Sequence, residues 1–527
     1  MKKFKLINYL NFTIAFFFLF FIVIPLGQIF IKIGDVNLVE FLSTKIIRTA
    51  LENSICLTLI STVISMCIGF ILAFLVNRID IKNKIIFNII FSIPMLVPSI
   101  SHGMGLIFLF GTNGIFTLLF SSNQIIYGTL GIILGSIMYS FPIAFIMFSD
   151  IFRYEDFLPH QAAIVLGVSK ASRFIKLTLP YLLKPLASIF FAVFTMIITD
   201  YGIPLIVGGK IVTLPMVMYQ EVVGRLNFNI GSVIGLLLLI PALLGFIFDH
   251  LISTNNNNKH VITPFKQNSN KKVKILSTIV CVIFSVLVLL PILSFCFIGF
   301  IEKYPSNMIF SFVNINKFSS IGGLKYLANS VLIAIFVAVI GTGLSFVCAY
   351  FTSRMKNRFT YYIHLLSLFT LAVPGIVLGL SYVMMFKETP LYGTISILIF
   401  VNIIHFFASP YLLAYNSLTK INNNIESVGK TLGIRRKYIF LDVIIPQTFP
   451  TILEMSTYYF VNSMMTISAV AFLSNYATKP VSLMLTSFES QGMIECAAIV
   501  SVIILMINVL LKIFIQMIKR KWVEYDN

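Results

Sequence analysis

The side chains that could do chemistry in this 527-residue chain are few, and they occur in two kinds of place. One is a carboxylate inside an apolar stretch: Asp200, within Ile197-Ile198-Thr199-Asp200-Tyr201-Gly202-Ile203-Pro204, and Glu454. A charge near the middle of a bilayer costs roughly 2.5–3.5 kcal/mol, so each marks a candidate solute contact, gate or buried pairing. The other is a basic segment that occurs twice. The first copy reads Gln161-Ala162-Ala163, then Gly167, then Leu179-Pro180; the second, 266 residues on, reads Ser427-Val428-Gly429, Gly433 and Ile445-Pro446. Glycine and proline stand thirteen residues apart in both. Glycine after a short helix supplies a left-handed cap and a sharp turn, and proline directs the next helix. Small residues ahead of the turn let another surface approach closely. The chemistry expected of such a repeated polar helix–turn–helix is docking.

Catalysis has no comparable footing. Gly429-Lys430-Thr431 resembles the close of a phosphate-binding loop, but the glycine required five residues earlier is Asn424, in a helical connector. No HExxH, GxSxG or paired-carboxylate motif occurs, so neither an enzyme activity nor a cofactor or metal site is expected.

The elements that must hold these residues are membrane spans. The chain is 58% hydrophobic and 11% charged, with mean hydropathy +0.97, against about 25% charged residues in a soluble domain. Twelve apolar runs of spanning length are expected near 10–31, 55–77, 85–110, 128–150, 181–207, 231–252, 274–300, 328–352, 360–386, 392–416, 450–474 and 494–517. Pro94 and Pro98 predict a kink or break in the third. The first run is too long for a secretory h-region and reads as a retained span. The clusters Arg78/Lys82/Lys84, Arg354/Lys356/Arg358, Arg435/Arg436/Lys437 and Lys519/Arg520/Lys521 fall on one side, and 111–127 on the other carries no charge. That bias predicts cytoplasmic docking segments and two cytoplasmic termini. The net charge of +19 therefore reflects topology, not nucleic-acid binding. Cys56, Cys67, Cys281, Cys296, Cys348 and Cys496 lie in or beside apolar runs and read as small buried hydrophobes.

One design is used twice. Asn53-Ser54 and Arg78 recur as Asn329-Ser330 and Arg354, and Pro98 and Gly103 as Pro374 and Gly379, all at an offset of 276. The predicted organisation is a six-helix domain at 1–252, a polar cytoplasmic linker at 253–273 and a second six-helix domain at 274–527, in parallel repeat with the pathway between them. The fold class is all-α membrane protein.

The repeated segments resemble the EAA loop of permease subunits of binding-protein-dependent ABC importers: Glu-Ala-Ala, three residues, Gly, nine residues, an aliphatic, one residue, Leu-Pro. The first copy fits with Gln161 for the glutamate. The second keeps Gly433, Val443 and Pro446 but has Ser-Val-Gly, with Glu426 one residue earlier. The resemblance covers essentially the whole chain, as a fused pair of type I permease domains. It implies that the loops are coupling helices seated on cytoplasmic ATP-binding subunits, two of them. ATP then binds on the partners, a solute-binding protein delivers cargo from outside, and the chain lies in the bacterial inner membrane.

Asp200 and Tyr201, with Asn462, Ser463, Thr466 and Ser468 of the matching second-half stretch, are the pathway candidates. For Asp200 both a gate or substrate contact and a carboxylate paired within the bundle stay open; for Glu454 a structural pairing is expected. Small-residue packing accounts equally for the second-half stretch and for Gly131/Gly135, Gly231/Gly235 and Gly375/Gly379. Residues 199–210 and 460–474 look most like 2-aminoethylphosphonate permeases, with ferric-iron permeases next and thiamine permeases also of this fused type. An ion-coupled secondary transporter is the alternative from another class, for which Asp200 and Glu454 are a thin supply of ionisable groups.

Overall fold

The computed structural model describes residues 12–34, 37–120, 126–252, 270–355, 357–422 and 424–526, together with Thr263 and Phe265. The N-terminal lysines, most of the 253–273 linker, part of the 111–127 loop and Lys356 lie outside the described residues.

Each of the twelve expected stretches contains helix, but the fifth is interrupted at 199–201 and the eleventh, expected to run to 474, ends at Met465. Among the described residues eight helices are long and apolar enough to cross a membrane: Phe12–Ile33, Lys45–Arg78, Ser99–Leu119, Thr129–Arg153, Phe228–Phe248, Lys271–Gly299, Gly323–Arg354 and Ile494–Trp522. Three further spans are bent pairs, Ala171–Leu183 with Pro185–Ile198, Arg358–Ala372 with Gly375–Phe386, and Ile395–His405 with Ala408–Lys420. The remaining one, Ile445–Met465, has the length but is more polar, as Glu454, Asn462 and Ser463 require. Numbered in chain order, these are spans one to twelve. Cys56 and Cys67 correct the expectation for the cysteines: both are exposed on the outward face of span two, where an apolar thiol meets lipid as readily as core.

The proline-directed break occurs in both halves. Helix Lys84–Leu96 turns at Pro98 into Ser99–Leu119, and its counterpart bends by 107° at Pro374. Such a break strips carbonyls of their helical partners, and within a bilayer they need new ones. His102 Nε2 lies 3.1 Å from Pro94 O, and Asn508 Nδ2, from span twelve, donates to Leu96 O at 2.9 Å.

Each half lends its first span to the other. Span one lies along Gly375–Phe386: Tyr382 OH donates to Phe21 O at 2.9 Å, and Phe18 meets Phe407 edge-on at 5.0 Å. Span seven lies along Ser99–Phe110, so close that a Cβ on Gly105 would fall 2.6 Å from Pro291 O. At the foot of span seven, Lys274 reaches Asp80 at 2.8 Å and holds its carboxyl below the usual carboxylate range.

The Asn-Ser repeat has a structural role that spacing alone does not disclose. Asn53 Nδ2 donates to Val212 O at 3.0 Å, and Ser54 Oγ accepts from Leu214 N at 2.8 Å. In the second half Asn329 Nδ2 donates to Ala477 O at 2.9 Å and Ser330 Oγ accepts from Val481 N at 2.7 Å. Each dipeptide pegs the chain leaving its half's fifth span against the top of its second.

Candidate functional site

The two basic segments fold into the same object. Leu158–Val165 and Asn424–Thr431 are short helices ending at Gly167 and Gly433, whose φ values are +71° and +70°. Val168 N donates to Ala163 O at 2.9 Å and Ile434 N to Gly429 O at 2.8 Å, while Gly167 N and Gly433 N bond the carbonyls three residues back. This six-to-one closure needs a left-handed residue, and nothing lies within 4 Å of a Cβ at either glycine, so backbone conformation alone demands them.

A second short helix follows in each copy, Lys170–Arg173 and Arg436–Ile439, and then a widened turn, Phe174–Thr178 and Phe440–Ile444. In both turns an amide reaches back five residues, Leu179 N to Phe174 O and Ile445 N to Phe440 O, before the proline-led span begins. Gln161, Ala162 and Ser427 are exposed, Ala163 half-buried, and Gly429 buried against Ile439. The tips are apolar and bare: Val165 is 87% exposed, Leu166 79% and Leu432 68%. A helix turned outward by a polar loop, with aliphatic side chains in water at its end, is shaped for a partner's groove.

Each segment is fastened to its bundle by an arginine at the end of the half's second span. In the first half Arg78 pairs with Glu155, whose other oxygen lies 3.1 Å from His160 Nε2. Both side chains of the ion pair are nearly sealed, 9% and 4% exposed. In the second half Arg354 faces Glu426 directly at 3.5 Å. At the offset that aligns the two turns, Glu426 matches His160. The carboxylate has thus moved five residues upstream in the first copy, and histidine stands in its old place. Sequence reasoning singled out Glu426 but not Glu155 or His160. Arg78 is legible in the sequence as a cluster residue and as the repeat counterpart of Arg354, not as an anchor of the turn.

The pathway candidates divide. Asp200 lies at the break in span five: its Oδ2 accepts from Ile203 N at 3.0 Å, and it takes further bonds from Gly202 N and the Ser99 hydroxyl. It caps the short helix Gly202–Val207 and ties the breaks of spans three and five together. A small cleft beside it is lined by Ser54, Thr58, Ser136 and Thr213, all within the first half. Tyr139 of span four, which no sequence motif singles out, stands near both Asp200 and Tyr458 of span eleven.

Tyr201 is buried and stacked on Tyr219 at 4.7 Å; Tyr219 in turn faces Phe472 at 6.4 Å and hydrogen-bonds Thr486, closing the halves together at the end away from the coupling turns. Asn462 is half-buried and bonds back to Tyr458 O at 2.8 Å. Ser463 and Thr466 are buried, and Ser468 sits where a Cβ on Gly375 would fall 2.7 Å from its Oγ. Glu454 pairs with Lys519.

The family model described as binding-protein-dependent transport system inner membrane component matches this chain twice, over residues 65–255 and 341–524. The ferric transport system permease protein FbpB of Actinobacillus pleuropneumoniae is 24% identical over 487 residues, 87% of this chain and 70% of that protein. A putative ferric transport system permease protein of Haemophilus influenzae, FbpB 1, is 24% identical over 487 residues, 87% of this chain and 77% of its own length. The probable sulfate transport system permease protein cysT of Prototheca wickerhamii is 26% identical over 236 residues, which is 43% of this chain but 92% of that protein.

Proposed function

The chain belongs to the binding-protein-dependent transport system inner membrane components, as an ABC importer permease, and from that premise we propose that its cargo is ferric iron. The proposal rests on the full-length likeness to permeases named for ferric transport. It replaces 2-aminoethylphosphonate as the first reading of the solute. The stretches behind that reading, 199–210 and 460–474, are the capped break of span five and the small-residue end of span eleven. Their local pattern follows from helix breaks and close packing, which permeases for different solutes share.

In this reading two ATP-binding subunits seat on Leu158–Val165 and Asn424–Thr431 from the cytoplasm, and a solute-binding protein delivers cargo at the opposite face. The observation that carries it is the duplicated turn, identical in φ, hydrogen bonding and bare apolar tip. Residues 1–252 and 274–527 act as the two moving bodies, with spans one and seven crossing between them. ATP is bound by the partners, so the permease itself needs no cofactor.

Uptake of radiolabelled ferric iron into a strain lacking the chain, restored by the plasmid-borne gene, tests the cargo. Restoration of iron uptake, with no gain in sulfate or 2-aminoethylphosphonate uptake, is expected. Restoration of either anion instead would overturn the reading.

A further inference from the structure

The connecting segment between the halves reads as a polar cytoplasmic linker, yet its sequence holds an apolar island, Val261-Ile262-Thr263-Pro264-Phe265. Its two described residues lie on the first coupling segment. Phe157 N donates to Thr263 O at 3.0 Å, and Thr263 N donates to Asp156 Oδ1 at 3.2 Å. The same Asp156 oxygen accepts from Leu158 N at 3.2 Å, so Thr263 is bonded to the very residues that start the coupling helix. The Phe265 ring lies 4.6 Å from Phe157 and 4.7 Å from His160. The guanidinium carbon of Arg78 stands 3.3 Å over that ring, with Phe152 at 5.3 Å beyond it.

We propose that Thr263 and Phe265 are positioning residues for coupling: a strap that holds the start of the first coupling helix against the foot of span two. The aromatic face covers the Arg78–Glu155 pair and keeps water from it, which strengthens the pair and locks His160 in its bridging place. Motion imposed on the turn at Gly167 then reaches span two through a closed joint. The second copy builds its joint from its own half: Tyr350, one turn before Arg354, packs on Phe440 at 4.8 Å. The strap therefore makes the two coupling points mechanically different. This inference rests on the coupling role proposed above for the turns.

The test uses the full chain reconstituted with its ATP-binding subunits and binding protein, in a cysteine-free background with a spin label at position 165 or, as control, 431. Phe265→Ala is expected to raise label mobility at 165 and leave 431 unchanged. It should also lower cargo moved per ATP hydrolysed by about five- to tenfold, the population change expected when a contact of cation–π strength is lost from one of two states. Phe265→Tyr should restore both. Cutting the chain at a protease site placed within 253–260 should change neither, since the strap stays in place. Wild-type label mobility in Phe265→Ala, or a cut chain that reproduces its defect, would overturn the proposal. If the wild type fails to couple transport to ATP, the functional reading falls, while the label experiment still decides on the strap.

Discussion

The two coupling segments share a backbone and differ in how they are bolted down. Their turns superimpose in logic because a left-handed glycine and a six-to-one hydrogen bond leave no alternative at Gly167 or Gly433. Their anchors are free to vary, since any carboxylate that reaches the arginine will serve. The first half uses Glu155, shared with His160 and roofed by Phe265; the second uses Glu426, at 3.5 Å and 14% exposed. The difference explains why the glutamate of the EAA pattern is missing at both Gln161 and Ser427. Its charge has been relocated, by one residue in one copy and by six in the other. Backbone demands are conserved within this molecule; electrostatic demands are met wherever geometry allows.

Three experiments would break or sharpen that comparison. The largest effect belongs to the shared feature: Gly167→Val with Gly433→Val forces L side chains into a left-handed turn at a cost of about 1–2 kcal/mol each. Uptake should fall to background while membrane insertion, read by immunoblot, stays normal. Retained uptake would mean that the turns do not couple. Next comes the divergent feature. Removing one partner of a sealed ion pair costs about 3–5 kcal/mol, and less where water reaches it. Glu155→Gln strikes two contacts, to Arg78 and His160, and Glu426→Gln one at 3.5 Å, so the former should lower the melting temperature of the detergent-solubilised protein more; equal shifts would erase the claimed asymmetry. The smallest effect returns to what is common. Ser54→Ala and Ser330→Ala each orphan a buried amide, at about 1–2 kcal/mol. The two should destabilise the protein by similar amounts in the same melting experiment, and a one-sided effect would show that the pegs are not equivalent.

Much of this architecture is legible in the residues. The apolar runs give eleven of the twelve expected spans, counting each bent pair as one, Pro98 and Pro374 give matched breaks, and the glycine–proline spacing gives the turns. What escapes has a physical reason in each case. Glu155 escapes because an anchor that slides along the chain leaves no fixed spacing. The exchange of spans one and seven escapes because an apolar helix looks the same whichever half it packs against. Asp200 drew notice as a membrane-embedded charge, although Asp-Tyr-Gly-Ile-Pro is also a helix start, with the carboxylate three residues ahead of the amide it caps. Counting that cap first would have lowered its standing as a free solute ligand. The local stretches carry little about the solute for a related reason, since they encode helix breaks before they encode cargo.

The account stands on both turns meeting ATP-binding subunits in the cytoplasm. Photo-crosslinkers placed at Val165 and Leu432 in intact cells test this most directly. Each should join the permease to one copy of the ATP-binding subunit and stay closed to membrane-impermeant reagents added outside. Labelling of either position from outside, or crosslinks that never include the ATP-binding subunit, would contradict it.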